Sequence, residues 1–81
     1  MRDLVEYLCR ALVEDPDAVR VEEIDDDGDV VLEVSVVDGD LGRLIGRGGR
    51  VANAIRTIAK AAATRERKRV MVEFVEESVE G

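Results

Sequence analysis

Gly46-Arg47-Gly48-Gly49, entered by Leu44-Ile45 and left by Arg50-Val51, is the segment of this chain whose residue types are best suited to chemistry. Glycine has no Cβ, so a turn built from it lets another backbone come close. N–H groups in such a turn, beside the start of a helix, attract phosphate oxygens. Arg47 and Arg50 add positive charge, and Arg43 lies one helical turn before the loop. The chemistry implied is the gripping of a sugar-phosphate chain.

Other chemistries have little to work with. The chain has no histidine, one cysteine (Cys9) and serines only at 35 and 78, neither beside a plausible base. Nucleophilic catalysis is therefore not expected. Cys9 sits at the edge of an apolar helix face and reads as a packed residue. No metal-ligand cluster is present. The run Asp25-Asp26-Asp27-Gly28-Asp29 resembles a calcium loop only superficially, because the bidentate glutamate and the flanking helix pair are missing. The glycine segment lacks a Gly-Lys-Ser/Thr ending, so it is not a Walker A loop, and it follows a helix rather than a strand, which argues against a dinucleotide fingerprint. No cofactor and no small-molecule substrate are expected.

The elements that must position the loop follow from periodicity. Residues 3–14 read as an amphipathic helix with Leu4, Leu8, Ala11 and Leu12 on one face and Val5 beside them, ended by Asp15-Pro16-Asp17. Asp3 and Glu6 resemble a capping pair. Residues 18–24 and 30–37 alternate as two strands of a hairpin around the 25–29 turn. Asp40 is placed to N-cap a short helix through Leu41, Leu44 and Ile45. Residues 50–64 form a further helix with Val51, Ile55, Ile58 and Ala62 in a stripe and Arg56 and Lys60 opposite. Its alanines predict close packing on the sheet. Residues 69–75 form a last strand with Val70, Val72 and Phe74 on one side. The order α-β-β-α-α-β predicts an α+β two-layer domain.

Size and charge set the context. Eighty-one residues make one small domain with a limited core, and 46% apolar residues suffice for a globular fold. The net charge is -7, yet residues 41–69 carry nine basic residues and only Glu66 as an acid. The surface is thus polarised, with the loop in the basic third. Arg65, Arg67, Lys68 and Arg69 either extend a binding surface or simply complement the preceding helix C-terminus. Met1 leads directly into a charged helical pattern with no signal peptide, and no apolar run is long enough for a membrane. A soluble cytoplasmic protein is expected.

The segment Leu41 to Val51 resembles the Ile-Gly-x-x-Gly core of a KH domain, a module that clamps about four nucleotides of single-stranded nucleic acid. The element order is that of the type II KH fold, with a three-stranded sheet packed against three helices. Asp3-Leu4-Val5-Glu6-Tyr7, Asp15-Pro16-Asp17-Ala18-Val19, Ala54-Ile55-Arg56-Thr57 and Ala61-Ala62-Ala63 extend the likeness to the bacterial KhpA family over about residues 1–75.

That resemblance implies a single KH domain over residues 1–76 and an acidic, disordered tail over 77–81. It implies a protein that binds single-stranded RNA, acts as an RNA chaperone or post-transcriptional regulator, and has been tied in relatives to cell shape and cell-wall homeostasis. It also implies a homodimer, or a heterodimer with a KhpB-like KH protein; use of the fold mainly for such assembly is the alternative function. The phosphate-contacting loop would be Gly46, Arg47, Gly48 and Gly49. Arg43 and Arg50 would add charge, and Leu44, Ile45, Val51 and one of Val34 or Val36 would wall an aliphatic groove for the bases. Asn53 is a candidate for reading a base edge or is simply an exposed helix position. Where many members of the family carry lysine and a polar residue in the loop, this chain has Arg47 and Gly48, which keeps one charge and loses one donor.

Overall fold

The computed structural model describes residues 1–77. Helix α1 spans Arg2–Leu12, and a 3-10 turn over Pro16–Ala18 leads into strand β1, Arg20–Asp26. Strand β2 is Asp29–Val37, helix α2 Leu41–Ile45, helix α3 Arg50–Arg65 and strand β3 Arg69–Glu77. This is the α-β-β-α-α-β order of the type II KH fold. β3 runs two residues past the expected strand end, so Glu77 belongs to it and not to a tail; the rest of the expected tail, 78–81, lies outside the described residues.

The sheet order is β1-β2-β3. The β1–β2 hairpin is antiparallel, and β3 runs parallel to β2, as its helical crossover requires. The hairpin loop is tighter than its acidic run suggests: Asp26 already pairs with Asp29, and only Asp27 and Gly28 make the turn, both at positive φ. Asp-Gly at those two positions is the preferred chemistry of a two-residue hairpin loop. β2, with Val30, Leu32, Val34 and Val36 fully buried, is the middle of the core.

Helix α1 buries a different stripe from the one its largest apolar residues suggest, and α3 does so in part. α1 buries Val5 and Cys9, while Leu4 and Leu12 are about 40% exposed and Ala11 faces solvent. α3 buries Ala52, Ile55, Ala59 and Ala63 and leaves Ile58 exposed. Each helix has two apolar flanks, so periodicity alone does not choose between them. On α3 close approach to the sheet favours Ala52, Ala59 and Ala63, with Ile55 buried among them and Val51 packed at the edge of the core, while Ile58 is left outside.

Asp40 is the N-cap residue of α2 by position, but its side chain makes no capping hydrogen bond to that helix. Its side chain reaches back to the end of α1 and accepts hydrogen bonds from the backbone N–H groups of Glu14 and Asp15, both at 3.1 Å. It is almost wholly buried. It ties the entry of α2, and hence the glycine loop, to the N-terminal helix.

Candidate nucleic-acid interface

The loop is built by three glycines in the left-handed region. Gly46 closes α2 at φ 72°, with its N–H bonded to Gly42 O at 2.9 Å. Gly48 (φ 63°, ψ 18°) and Gly49 (φ 79°, ψ 12°) then turn the chain into α3. Side-chain-bearing residues rarely adopt this region, which is why the turn is glycine-rich. No side chain caps α3. The positive end of its dipole therefore faces the loop without a protein acceptor from a side chain, an arrangement suited to an anion.

The expected site residues divide into several groups. Arg47, Gly48 and Arg50 are exposed at the loop, and Ile45, Gly46, Gly49 and Val51 are half-buried around it. Asn53 is exposed on α3, with its side-chain nitrogen beside Gly49. Leu44 is fully buried in the core and supports the loop from beneath; it does not line a groove. The same holds for Val34 and Val36, which lie on the central strand under the helices.

Arg43 is also engaged elsewhere. Its guanidinium pairs with Glu14 at 2.9 Å and with Asp40 at 3.5 Å, so its charge is largely offset within the protein. Lys68 and Arg69 pair with Asp25 and Asp29 at the hairpin turn. The Asp25 carboxylate is held below its usual range by the Lys68 hydrogen bond and by the N–H of Gly28, and the Lys68 ammonium is correspondingly raised. Among the described residues, Arg47, Arg50, Lys60, Arg65 and Arg67 have no ion-pair partner.

A shallow groove of about 280 Å3 runs between α3 and the outer strand β3, lined by Arg56, Lys60, Val70, Met71 and Val72. Asn53, Arg56 and Lys60 stand three and four residues apart and so share one flank of α3, leading away from the loop. The aliphatic wall of this groove comes from the edge strand β3. Sequence periodicity placed Arg56 and Lys60 opposite the apolar stripe, but it gave no sign that β3 would be the strand beside them, because sheet order is a long-range property.

A family model for the KH domain of KhpA/KhpB matches residues 2–74. The RNA-binding protein KhpA of Caldanaerobacter subterraneus subsp. tengcongensis is 48% identical over 75 residues, which cover 93% of this chain and all of that protein. Its namesakes in Halalkalibacterium halodurans and Aquifex aeolicus are 43% and 42% identical, each across 94% of this chain and 100% and 96% of their own length. Among solved structures, Era in complex with MgGDPNP and nucleotides 1506–1542 of 16S ribosomal RNA superposes with a TM-score of 0.64. That match covers 96% of this chain and 30% of Era at 17% identity, a likeness of fold.

Proposed function

Because this chain belongs to the KhpA/KhpB KH-domain family, we propose that it binds single-stranded RNA through the loop Gly46-Arg47-Gly48-Gly49, and that it does so without catalysing a reaction. The family is a non-enzymatic one whose members are named as RNA-binding proteins. The observation that carries the reading is the loop itself: left-handed glycines open the backbone at the uncapped start of α3, with Arg47 and Arg50 unpaired on either side. A phosphate chain laid there meets N–H donors, a helix dipole and two mobile charges. Ile45 and Val51 offer apolar contact beside them. Remodelling of RNA as a chaperone or post-transcriptional regulator, in the cytoplasm and within the control of cell shape and wall homeostasis, is the biological role this binding would serve.

The deciding experiment replaces Arg47 and Gly48 together with aspartate. Asp tolerates the left-handed region better than most residues, so the fold is expected to survive while two anions face the phosphates. Fluorescence anisotropy with a labelled single-stranded RNA should show binding lost. Unchanged affinity in the folded double variant would sink the reading.

Assembly is the second reading, either with another copy of this chain or with a KhpB-like KH protein. It is favoured by the open apolar flank carrying Leu4, Tyr7 and Leu12 of α1 and Ile58 of α3, with Tyr7 70% exposed. Ile58 lies two residues from both Arg56 and Lys60 and therefore faces the other side of α3. A partner on that flank leaves the groove open, so assembly and RNA binding are compatible.

A further inference from the structure

We propose that Arg56, held against Phe74, is a base-reading residue that favours guanine in the groove between α3 and β3; this deepens the RNA-binding reading and rests on it. Three observations meet at this side chain. Its Nε donates to the carbonyl oxygen of Val72 at 3.3 Å, on the outer strand. Its guanidinium carbon lies 5.2 Å from the centre of the Phe74 ring. It lines the groove with Lys60, Val70, Met71 and Val72.

The hydrogen bond and the ring together fix the plane of the guanidinium. A cation over an aromatic face is attracted by the ring quadrupole, and the Val72 carbonyl belongs to an edge strand whose outward backbone groups have no neighbouring strand. Both Nη atoms have no hydrogen-bond or ion-pair partner among the described residues. The result is a planar fork of donors, oriented in advance and unsatisfied, half-buried in an apolar groove. The rest of the basic third either is paired to carboxylates or hangs free in solvent; Arg56 alone there is ordered by a carbonyl and a ring.

The position suits a nucleobase. Arg56 lies seven residues beyond Gly49, about 10 Å along the helix, within the roughly four-nucleotide footprint of a KH loop. A donor fork of this kind matches two adjacent acceptors: guanine offers O6 and N7, and cytosine, with its Watson–Crick edge open in a single strand, offers N3 and O2; the larger purine face of guanine gains more contact with the aliphatic wall of Val70 and Met71. In a chain with only Tyr7 and Phe74 as aromatics, the guanidinium plane also supplies a stacking surface that exposed rings supply in other RNA-binding domains.

The test uses the full chain and octauridylate in which one central position is uracil, cytosine, guanine, inosine or 7-deazaguanine, with affinity read by anisotropy. Inosine keeps O6 and N7, and 7-deazaguanine loses N7. Guanine and inosine should bind about fivefold or more tightly than uracil, and 7-deazaguanine should fall back towards uracil. Arg56→Lys keeps the charge without the fork and should bring the guanine-to-uracil ratio near one. Loop-dependent binding with no difference among the five oligonucleotides overturns this proposal alone. Cytosine bound as tightly as guanine, or a guanine preference that persists in folded Arg56→Lys, also overturns it. No binding of any oligonucleotide, or binding unmoved by the aspartate loop variant, overturns the RNA reading with it. If Arg56→Lys fails to fold, the base series on the unaltered protein still decides.

Discussion

A Cβ placed on Gly46 would lie 2.9 Å from Val51 Cβ and 3.0 Å from the Val51 backbone nitrogen, with Val51 Cγ2 closer still. Gly46 also holds φ at 72°. The end of α2 and the first turn of α3 therefore approach most tightly at this residue, and the loop between them is pinched at its base. Gly48, at the tip, has nothing within 4 Å of its virtual Cβ.

The two glycines should consequently respond differently. Gly46→Ala meets both a clash and backbone strain and should cost about 2–4 kcal/mol of folding stability. Gly48→Ala meets strain only and should cost about 1–2 kcal/mol. Urea unfolding of the two variants checks this; equal losses would contradict the pinch at Gly46.

Asp40→Ala should destabilise the domain by about 2–4 kcal/mol, because it leaves the N–H groups of Glu14 and Asp15 without their acceptor in a half-buried site. Arg43 also loses one of its two carboxylate partners. Freed from that pairing, Arg43 should turn towards solvent. Hydrogen exchange at the Glu14 and Asp15 amides should accelerate more than exchange in β2.

What the sequence made legible and what it hid divide along physical lines. Element order, the hairpin and the glycine loop are local matters, set by alternation, helical spacing and turn residues, and they are present as read. The role of Asp40 was hidden because its partners lie 25 and 26 residues away. The engagement of Arg43 by Glu14 was hidden for the same reason. Leu44, Val34 and Val36 looked available for a groove because apolar residues near a site resemble core until burial is known. The stripe on α1 was misplaced, and that on α3 in part, since Ile55 is buried and Ile58 is not; two apolar flanks compete on each helix, and only tertiary packing chooses.

The hairpin turn is fastened to the start of β3 by the Lys68–Asp25 ion pair at 2.7 Å and by the Arg69 N–H on Gly28 O at 2.9 Å. The folded-state pKa of Asp25 is lowered from 3.8, so its contribution is present above that value and fades as pH falls through the lower folded value. Lys68 is raised from 10.5, so its contribution is present below that value and is lost as pH rises through the higher folded value. Lys68→Met should remove the Lys68 contribution and the part of the Asp25 lowering that Lys68 causes, leaving the Gly28 N–H bond in place. Its stability difference from the parent, measured by thermal unfolding, should be constant across the neutral range and shrink as pH falls below 3.8 or rises above 10.5.

Cys9 is fully buried, and burial pushes its thiol up to about 11. The neutral thiol is inert as a nucleophile. Iodoacetamide at pH 8 should label the native protein far more slowly than the urea-unfolded chain. Rapid native labelling would mean that α1 detaches readily from the sheet.

A loop with one charged variable position meets few phosphates, and this shapes both salt dependence and the value of assembly. Contact with about 2–3 phosphates predicts a log–log salt slope of roughly -1.4 to -2.1 for single strands. Such a grip is weak alone, and the acidic remainder of the surface adds repulsion. Two copies joined through the Leu4, Tyr7, Leu12 and Ile58 flank would hold one RNA at two loops, where linkage raises avidity by about 10²–10⁴ when the strand spans both. Ile58→Glu places a charge on that exposed flank without touching the core, so the domain should stay folded while sedimentation shows a monomer. Its affinity for an octanucleotide, long enough for one loop only, should match the parent. Its affinity for a 30-nucleotide strand should fall at least tenfold. Equal affinity of parent and variant for the long strand would mean that the two loops do not act together, and an unchanged sedimentation coefficient would place the contact elsewhere.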